Sequence, residues 1–299
     1  MDARISWELY RSFLAVLTEG SLSGAARALA VAQPTVGRHI AALERSLGTP
    51  LFTRSQTGLS PLESALSLRT YAEAMSNSVA ALERAASSQG PGVRGVVRVT
   101  ASEVIGVEVL PPIIAHLREQ HPELQVELAL SNKVQDLLQR EADIAVRMTR
   151  PTQELLIARR IGHVAVGLHA ARQYVKRHGA PVTSADLRRH SLIGFDQPTA
   201  FIRVAGKSFP ALQREAFAMR ADSDLAQLAL IRSGAGIGLC QVPIGKRDGL
   251  VRVLPKQFTL QLDTWIAMHE DLRNSPRCRV TFDALVDGLR EHVAAALQD

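Results

Sequence analysis

Gln33, Thr35, Arg38 and His39 fall within two turns of one predicted helix, and their side chains are of the kinds that read the edges of base pairs. A glutamine pairs with the donor and acceptor of adenine, an arginine grips the two acceptors of guanine, and hydroxyls and amides hold phosphate oxygens. Gln and Arg on a solvated helix are common, so the types alone decide nothing; their placement does. Pro34 sits where helices begin, because a residue of the first turn has no partner for an N–H. Val36, Ile40, Leu43 and Leu47 recur at spacings of four, three and four, which turns one face inward and leaves Gln33, Thr35, Arg38, His39 and Arg45 on the other.

The elements that must hold this helix are readable on either side. Ser21 and Ser23 precede an Ala-rich run, where a hydroxyl can accept from the orphan amides of a first turn. The run Ala25 to Leu29 is cut short at Ala30, Val31 and Ala32, so two helices cross sharply. Ile5, Leu9, Phe13 and Leu17 recur every four residues and predict an earlier helix that covers both. Leu51 to Arg54 and Leu59 flank a polar Ser-Gln-Thr-Gly turn that suits a short hairpin. Helix, tight turn, helix and wing form a DNA-reading module, with Ser23, Gln33, Pro34, Thr35, Gly37, Arg38, His39 and Arg54 as candidate contacts.

Gly20, Ser21, Ala25, Ala26, Leu29, Gln33, Pro34, Ile40, Leu43, Glu44, Leu47, Gly48, Leu51, Phe52 and Arg54 occur in an order that resembles the N-terminal motif of the LysR-type transcriptional regulators. Two departures stand out. Ala32 and Gly37 replace the family's usual serines, removing hydroxyls that could cap the helix or touch phosphate, and Gly37 costs about 1 kcal/mol of helix propensity relative to alanine. The family's Thr-x-x-Gly stretch after the wing is replaced by Ser60 to Ser64.

The chain has 299 residues, 46% of them apolar, and a near-neutral mean hydropathy, which fit a globular protein of two or three domains. No run of ~18 apolar residues occurs and Met1-Asp2-Ala3-Arg4 is no secretory leader, so the expected location is the cytoplasm and no membrane partner is expected. Cys240 and Cys278 are the only two cysteines, which excludes a disulfide scaffold. Cys240 lies in the apolar run Ile237 to Val242 and is expected to be buried and inert. The net charge is +6, yet residues 1 to 60 hold six arginines against four acidic groups. The DNA assignment therefore rests on the motif, with overall charge adding modest attraction.

Pro61 to Ser88 contains no glycine and predicts one long helix. Ala65, Leu68, Ala72, Met75, Val79, Leu82 and Ala86 alternate by three and four, a seam suited to close helix pairing, with packing on its own domain as the alternative. The LysR resemblance implies that this helix makes a homodimer and that two dimers make a homotetramer. A symmetric pair of heads implies double-stranded DNA carrying a partial inverted repeat. Residues 1–60 are thus the winged helix-turn-helix, 61–89 the linker helix and 90–299 an effector-binding domain. Ser87 to Gly92 mark the hinge.

Beyond the hinge, strands are predicted at 93–100, 124–130 and 142–146, with helices at 110–120 and 134–140. The same grammar restarts at 163–168, with a short helix around 185–190, a helix at 224–233 and a strand at 237–242. A strand at 264–268 then returns to the first half and a helix at 279–297 closes it. Alternating strands and helices predict an α/β fold with parallel sheets. Two such lobes, 93–162 with 268–299 and 163–267, are similar to the periplasmic-binding-protein-like effector domain of the LysR family.

Catalytic signatures are missing. Gly234-Ala235-Gly236-Ile237-Gly238 precedes a strand, so it reads as a helix C-cap and turn rather than a nucleotide loop. No GK[ST] or Gly-x-Ser-x-Gly occurs, and the nine histidines are scattered without metal spacing, so neither enzyme, cofactor nor metal is expected. Strand ends offer anion-holding geometry instead: Ser102, Ser131 with Asn132, and Asp222 with Ser223 stand where helix N-termini are expected. In the LysR family the matching strand ends face the interlobe cleft, which implies a small, anionic effector held by these residues, with Arg147 supplying charge and Phe201 and Ile202 walling the pocket. A regulator of transcription, with RNA polymerase as a further partner, follows from the resemblance. A solute carrier of the same two-lobed fold, or a DNA-binding protein whose second domain senses nothing, are the alternatives.

Overall fold

The computed structural model describes residues 5–55, 58–86, 92–132, 141–151, 156–197, 209 and 212–295, and divides into two compact units, the first running to Glu83 and joined by Glu141, the second holding the rest from Arg84 on. In the first, α1 (Trp7–Glu19) starts at Ser6, whose hydroxyl accepts from Glu8 N, and stops at Gly20 in the left-handed region, φ 67°. Ser21, rather than Ser23, caps α2 (Leu22–Leu29) by accepting from Gly24 N. Ala32 begins α3 (Gln33–Leu47) with no side-chain cap, as the missing serine predicts. Phe13, Val16, Ala25, Val36, Ile40, Leu43 and Leu51 fill a core between these helices. The wing is the antiparallel pair β1 (Phe52–Ser55) and β2 (Gly58–Pro61). Gly58 has φ 138°, and a Cβ there would lie 2.5 Å from the Gly20 carbonyl oxygen, so no other residue fits. That close approach lets Leu59 N donate to Gly20 O at 2.9 Å, fixing the wing to the helices.

The predicted long helix is α4 (Glu63–Ala86). Its seam divides in two. Ala65 and Ala72 are buried in the core of the first unit, whereas Met75 is 40% and Leu82 71% exposed.

The second unit is built on a mixed nine-stranded sheet. One half orders β4 (Leu124–Leu130), β3 (Gly95–Ala101) and β5 (Ile144–Arg147) in parallel. The other holds β7 (Leu192–Gly194), β8 (Phe217–Arg220) and β9 (Ile237–Gln241), also parallel to one another. Two long strands run through both halves, β6 (Leu156–Ala170) and β11 (Leu260–His269), antiparallel to each other with a register shift between Thr264 and Trp265. The parallel expectation therefore holds within each half and fails at the joint. There the strands expected at 163–168 and 264–268 are far longer, because β11 pairs with Leu156–Val166 along its whole length and β6 runs on to Ala170 beside β9. A short strand, β10 (Val251–Val253), adds to β6.

Helices α5 (Glu103–Glu108), α6 (Leu110–Gln120) and α10 (Pro276–Ala294) cover the first lobe, whose core includes Val97, Val99, Leu117, Ile144, Ile266, Phe282 and Leu289. Helices α7 (Arg172–His178), α8 (Asp224–Arg232) and α9 (Val242–Arg247) belong to the second, cored by Leu168, Tyr174, Leu192, Phe217 and Ile237. The closing helix begins three residues before the predicted Arg279, with Ser275 at its cap and Pro276 in its first turn. The short helix near 185–190 is a 3-10 turn, Ser184–Arg189, closed by a Thr183–Asp186 capping box. The helix expected at 134–140 lies outside the described residues. Cys240 and Cys278 are free thiols, buried as expected for Cys240, and burial pushes the Cys240 thiol up to about 12.

Candidate functional site

The two halves of the candidate site lie in different units. In the first, Gln33, Pro34 and Arg38 are exposed along the start of α3, with Thr35 half-buried beside them. Arg38 Nη2 donates to Thr35 Oγ1 at 3.3 Å, one turn back, which holds the guanidinium against the helix while its other donors have no partner among the described residues. Gly37 leaves space: a Cβ there would meet only Leu22 Cδ1, at 3.7 Å. Ser23 is exposed within α2, and Arg54 stands in β1 opposite Leu59. His39 differs from the outward placement read from periodicity. It is half-buried, with Nδ1 2.7 Å from the hydroxyl of the buried Ser12, so one ring nitrogen ties α1 to α3 and only Nε2 is left for a ligand. Sequence reasoning missed Glu44, whose Oε1 accepts from Leu51 N at 2.7 Å and Phe52 N at 3.3 Å and so sets where the wing leaves α3. Its place in the motif was the available signal.

In the second unit the strand ends meet across the lobes. Ser102 caps α5 by position, but its hydroxyl makes no cap bond. Asn132 takes that role, its Oδ1 accepting from Glu103 N at 3.0 Å while its Nδ2 donates to Asp224 Oδ2 at 2.8 Å. Ser223 caps α8 by accepting from Ala226 N at 3.4 Å, and its hydroxyl lies 3.5 Å from Glu103 Oε2. Ser131 N donates to Ala101 O. Arg147 donates to Thr100 Oγ1 at 2.8 Å and to the carbonyl of Val146, so it is turned along the end of the sheet. Asp222 is spent within its own lobe, accepting from Asp196 N and Gln197 N. Asn132 and Ser223 therefore meet at Glu103, next in the chain to Ser102, whereas Phe201 and Ile202 lie outside the described residues.

Two carboxylates that sequence reasoning did not single out share this meeting point. Burial and the neighbouring Glu103 raise the pKa of Asp224, partly offset by Asn132. One turn further, Glu108 grips Arg232 with both oxygens at 2.8 Å, and Arg247 donates to the Glu108 carbonyl at 2.8 Å and to its carboxylate. Asp248 completes the set, 2.6 Å from Arg232. Hydrogen bonding to Arg232, with help from Arg247, holds the Glu108 carboxyl down at about 2. Among the described residues no group of histidines, cysteines and carboxylates could hold a metal ion, and no helix is long and apolar enough to cross a membrane.

Residues 7–66 match the family model for the bacterial regulatory helix-turn-helix protein of the lysR family, and residues 90–290 that for the LysR substrate binding domain. The chain is 29% identical over 186 residues to the HTH-type transcriptional regulator CrgA of Neisseria meningitidis, 62% of this chain and 62% of that one. It is 24% identical over 294 residues to a probable HTH-type transcriptional regulator, LtrA, of Klebsiella pneumoniae, 95% and 93% of the two chains. With a regulator of Xanthomonas campestris the match spans only 52% of the relative's length. Among solved structures, CrgA superposes with a TM-score of 0.59 at 26% identity, covering 94% of this chain and 98% of that one. Full-length CbnR in complex with its target DNA superposes with a TM-score of 0.66 at 20% identity, covering 97% and 99%. Two family models covering head and effector domain, in the order and places that the folded units occupy, lead to one conclusion: this chain belongs to the LysR family of regulators.

Proposed function

We propose that the protein is a cytoplasmic, sequence-specific regulator of transcription, in which α3 reads a double-stranded partial inverted repeat and a small effector bound between the lobes sets activity. The exposed start of α3 carries this reading: Gln33 and Arg38 point away from the core on a helix whose wing and turn are fixed to it, the arrangement that places side chains at base edges. The complex of CbnR with its target DNA supports the same use of the same fold. The exposed half of the α4 seam supports a homodimer, and the family a homotetramer; contact with RNA polymerase belongs to the same proposal.

The half-buried N-termini of α5 and α8, with Arg147, favour an anionic effector, as the sequence suggests. Glu103 and Asp224 favour one that also presents hydrogen-bond donors, since a bare anion beside two carboxylates is repelled. The test of the DNA-reading function is Arg38→Ala. On a duplex enriched from a random pool by the wild-type protein, gel-shift titration should show specific binding weakened by about 1–3 kcal/mol, with the unfolding midpoint unchanged. Equal affinity for the two proteins would refute the assignment.

A further inference from the structure

The surplus of positive charge is not in the DNA-reading head. Between residues 163 and 267 there are 14 Lys and Arg against 7 Asp and Glu, whereas the remainder of the chain holds 21 against 22. Several arginines of that lobe are neutralised: Arg214 pairs with Asp196, and Arg232 and Arg247 with Asp248 and with Glu108 of the first lobe. A second group is not. Arg172, Lys176 and Arg177 on α7, with Arg188 and Arg189 on the following 3-10 turn, are all exposed, and among the described residues none forms a salt bridge, the nearest carboxylate being Asp186, which Arg189 reaches only weakly through space.

Asp186 is the sole acidic residue between 172 and 190, and its carboxylate is occupied by Val182 N, Thr183 N and Thr183 Oγ1. The two segments form one surface. Buried Tyr174 stacks 4.6 Å from His178 and 5.9 Å from His190, and its hydroxyl binds His190 Nδ1 and Ser191 N. Backbone carbonyls aim two of the arginines, Gly249 O holding Arg172 at 3.0 Å and Gly234 O holding Arg177 at 3.2 Å, which leaves their charge uncancelled.

We infer that this face of the second lobe is a contact surface for the phosphate backbone of duplex DNA outside the sequence read by α3. The inference rests on the DNA-reading function proposed above. An array of oriented, un-neutralised guanidinium forks suits phosphates, each contact releasing condensed counterions from the duplex. Attachment to a head that binds DNA keeps the local duplex concentration high, so individually weak contacts count. An acidic protein fits less well, because protein interfaces are anchored by buried apolar or aromatic side chains, and on this face Tyr174 is internal and Val182 the lone exposed large apolar residue among those described.

The test uses the full chain and two duplexes of about 30 and about 90 base pairs sharing the sequence enriched by the wild-type protein, titrated from about 50 to about 300 mM KCl. The triple variant Lys176→Gln, Arg188→Gln, Arg189→Gln removes charges engaged in no described bond, and circular dichroism and thermal midpoint verify its fold. On the long duplex it should bind about tenfold or more weakly at ~150 mM salt, with the log–log salt slope reduced by about 1 to 3, while the short duplex is bound within about twofold of wild type. A Lys176→Arg, Arg188→Lys, Arg189→Lys control should restore the long-duplex slope. Identical slopes for wild type and triple variant on the long duplex would overturn the inference. So would unchanged DNA binding accompanied by lost capture of RNA polymerase, which would assign the face to an acidic protein. Failure of the wild type to enrich any duplex would refute the DNA-reading function itself, and this surface with it.

Discussion

Replacing Glu108 by Gln should loosen the junction of the two lobes, and the size of the effect can be worked from its partners. The carboxylate is 10% exposed and receives both donors of Arg232 and one of Arg247, whose side chains are 37% and 50% exposed. Its carboxyl sits at about 2, against an ordinary value of 4.5, and one pKa unit corresponds to about 1.4 kcal/mol. The full displacement would be worth about 3 kcal/mol, but solvent screening at the two arginines reduces this to about 1–2 kcal/mol. The sign follows from linkage: the folded state holds the ionised form more strongly, so the contribution is complete above pH 4.5 and drains away as pH falls toward 2. Urea unfolding of wild type and Glu108→Gln should differ by about 1–2 kcal/mol at neutral pH, and by less than half of that near pH 3. A difference below about 0.3 kcal/mol at neutral pH, or one that does not change with acid, would refute the view that the clamp holds the lobes.

Gly37→Ala should raise the thermal midpoint of the DNA-reading unit, with a gain of about 0.5–1 kcal/mol, since the space beside it is open and the helix loses a flexible residue. Asp143→Asn should cost about 1–3 kcal/mol in urea unfolding, because it neutralises a buried carboxylate that Arg84, whose side chain is 8% exposed, bonds through both oxygens; a loss under about 0.5 kcal/mol would count against that pair. Leu82→Glu should shift light-scattering mass toward monomer without altering secondary structure, as the charge is harmless on an exposed monomeric helix and costly in a pairing seam.

The head was legible because its determinants are local. The four-three-four recurrence of Val36, Ile40, Leu43 and Leu47, the serine before α2 and the glycines after α1 and α3 act within a few residues of where they stand. His39 was misread because its partner, Ser12, lies 27 positions away, and periodicity carries no such information. The cleft was legible only in part. Ser102, Asn132 and Ser223 were found as helix starts, yet which of them would cap, and that Asn132 would do so for Glu103, depends on how two strand ends approach. The Glu108 clamp left no trace, since its arginines stand 124 and 139 positions downstream. The long strands were underestimated for the same reason: Arg159, Arg160 and His163 interrupt the apolar pattern of β6, and only pairing with β11 reveals the segment as strand.

The return of β11 and α10 to the first lobe has a consequence for the order in which the protein is made. β5 gains its second neighbour only when Trp265–Met268 arrives, and the core under β3 closes only with Phe282, Leu285 and Leu289. At a synthesis rate of about 5–20 residues per second, roughly 7–30 s separate the emergence of Ile144 from that of the helix that seals it. Throughout that interval the parallel strands of the first lobe stand on the ribosome with an open apolar face and an unpaired edge, while the DNA-reading unit, complete by α4, is already folded. Newly made chains thus complete the head before the second domain, whose unsealed sheet is meanwhile the kind of surface that chaperones shield.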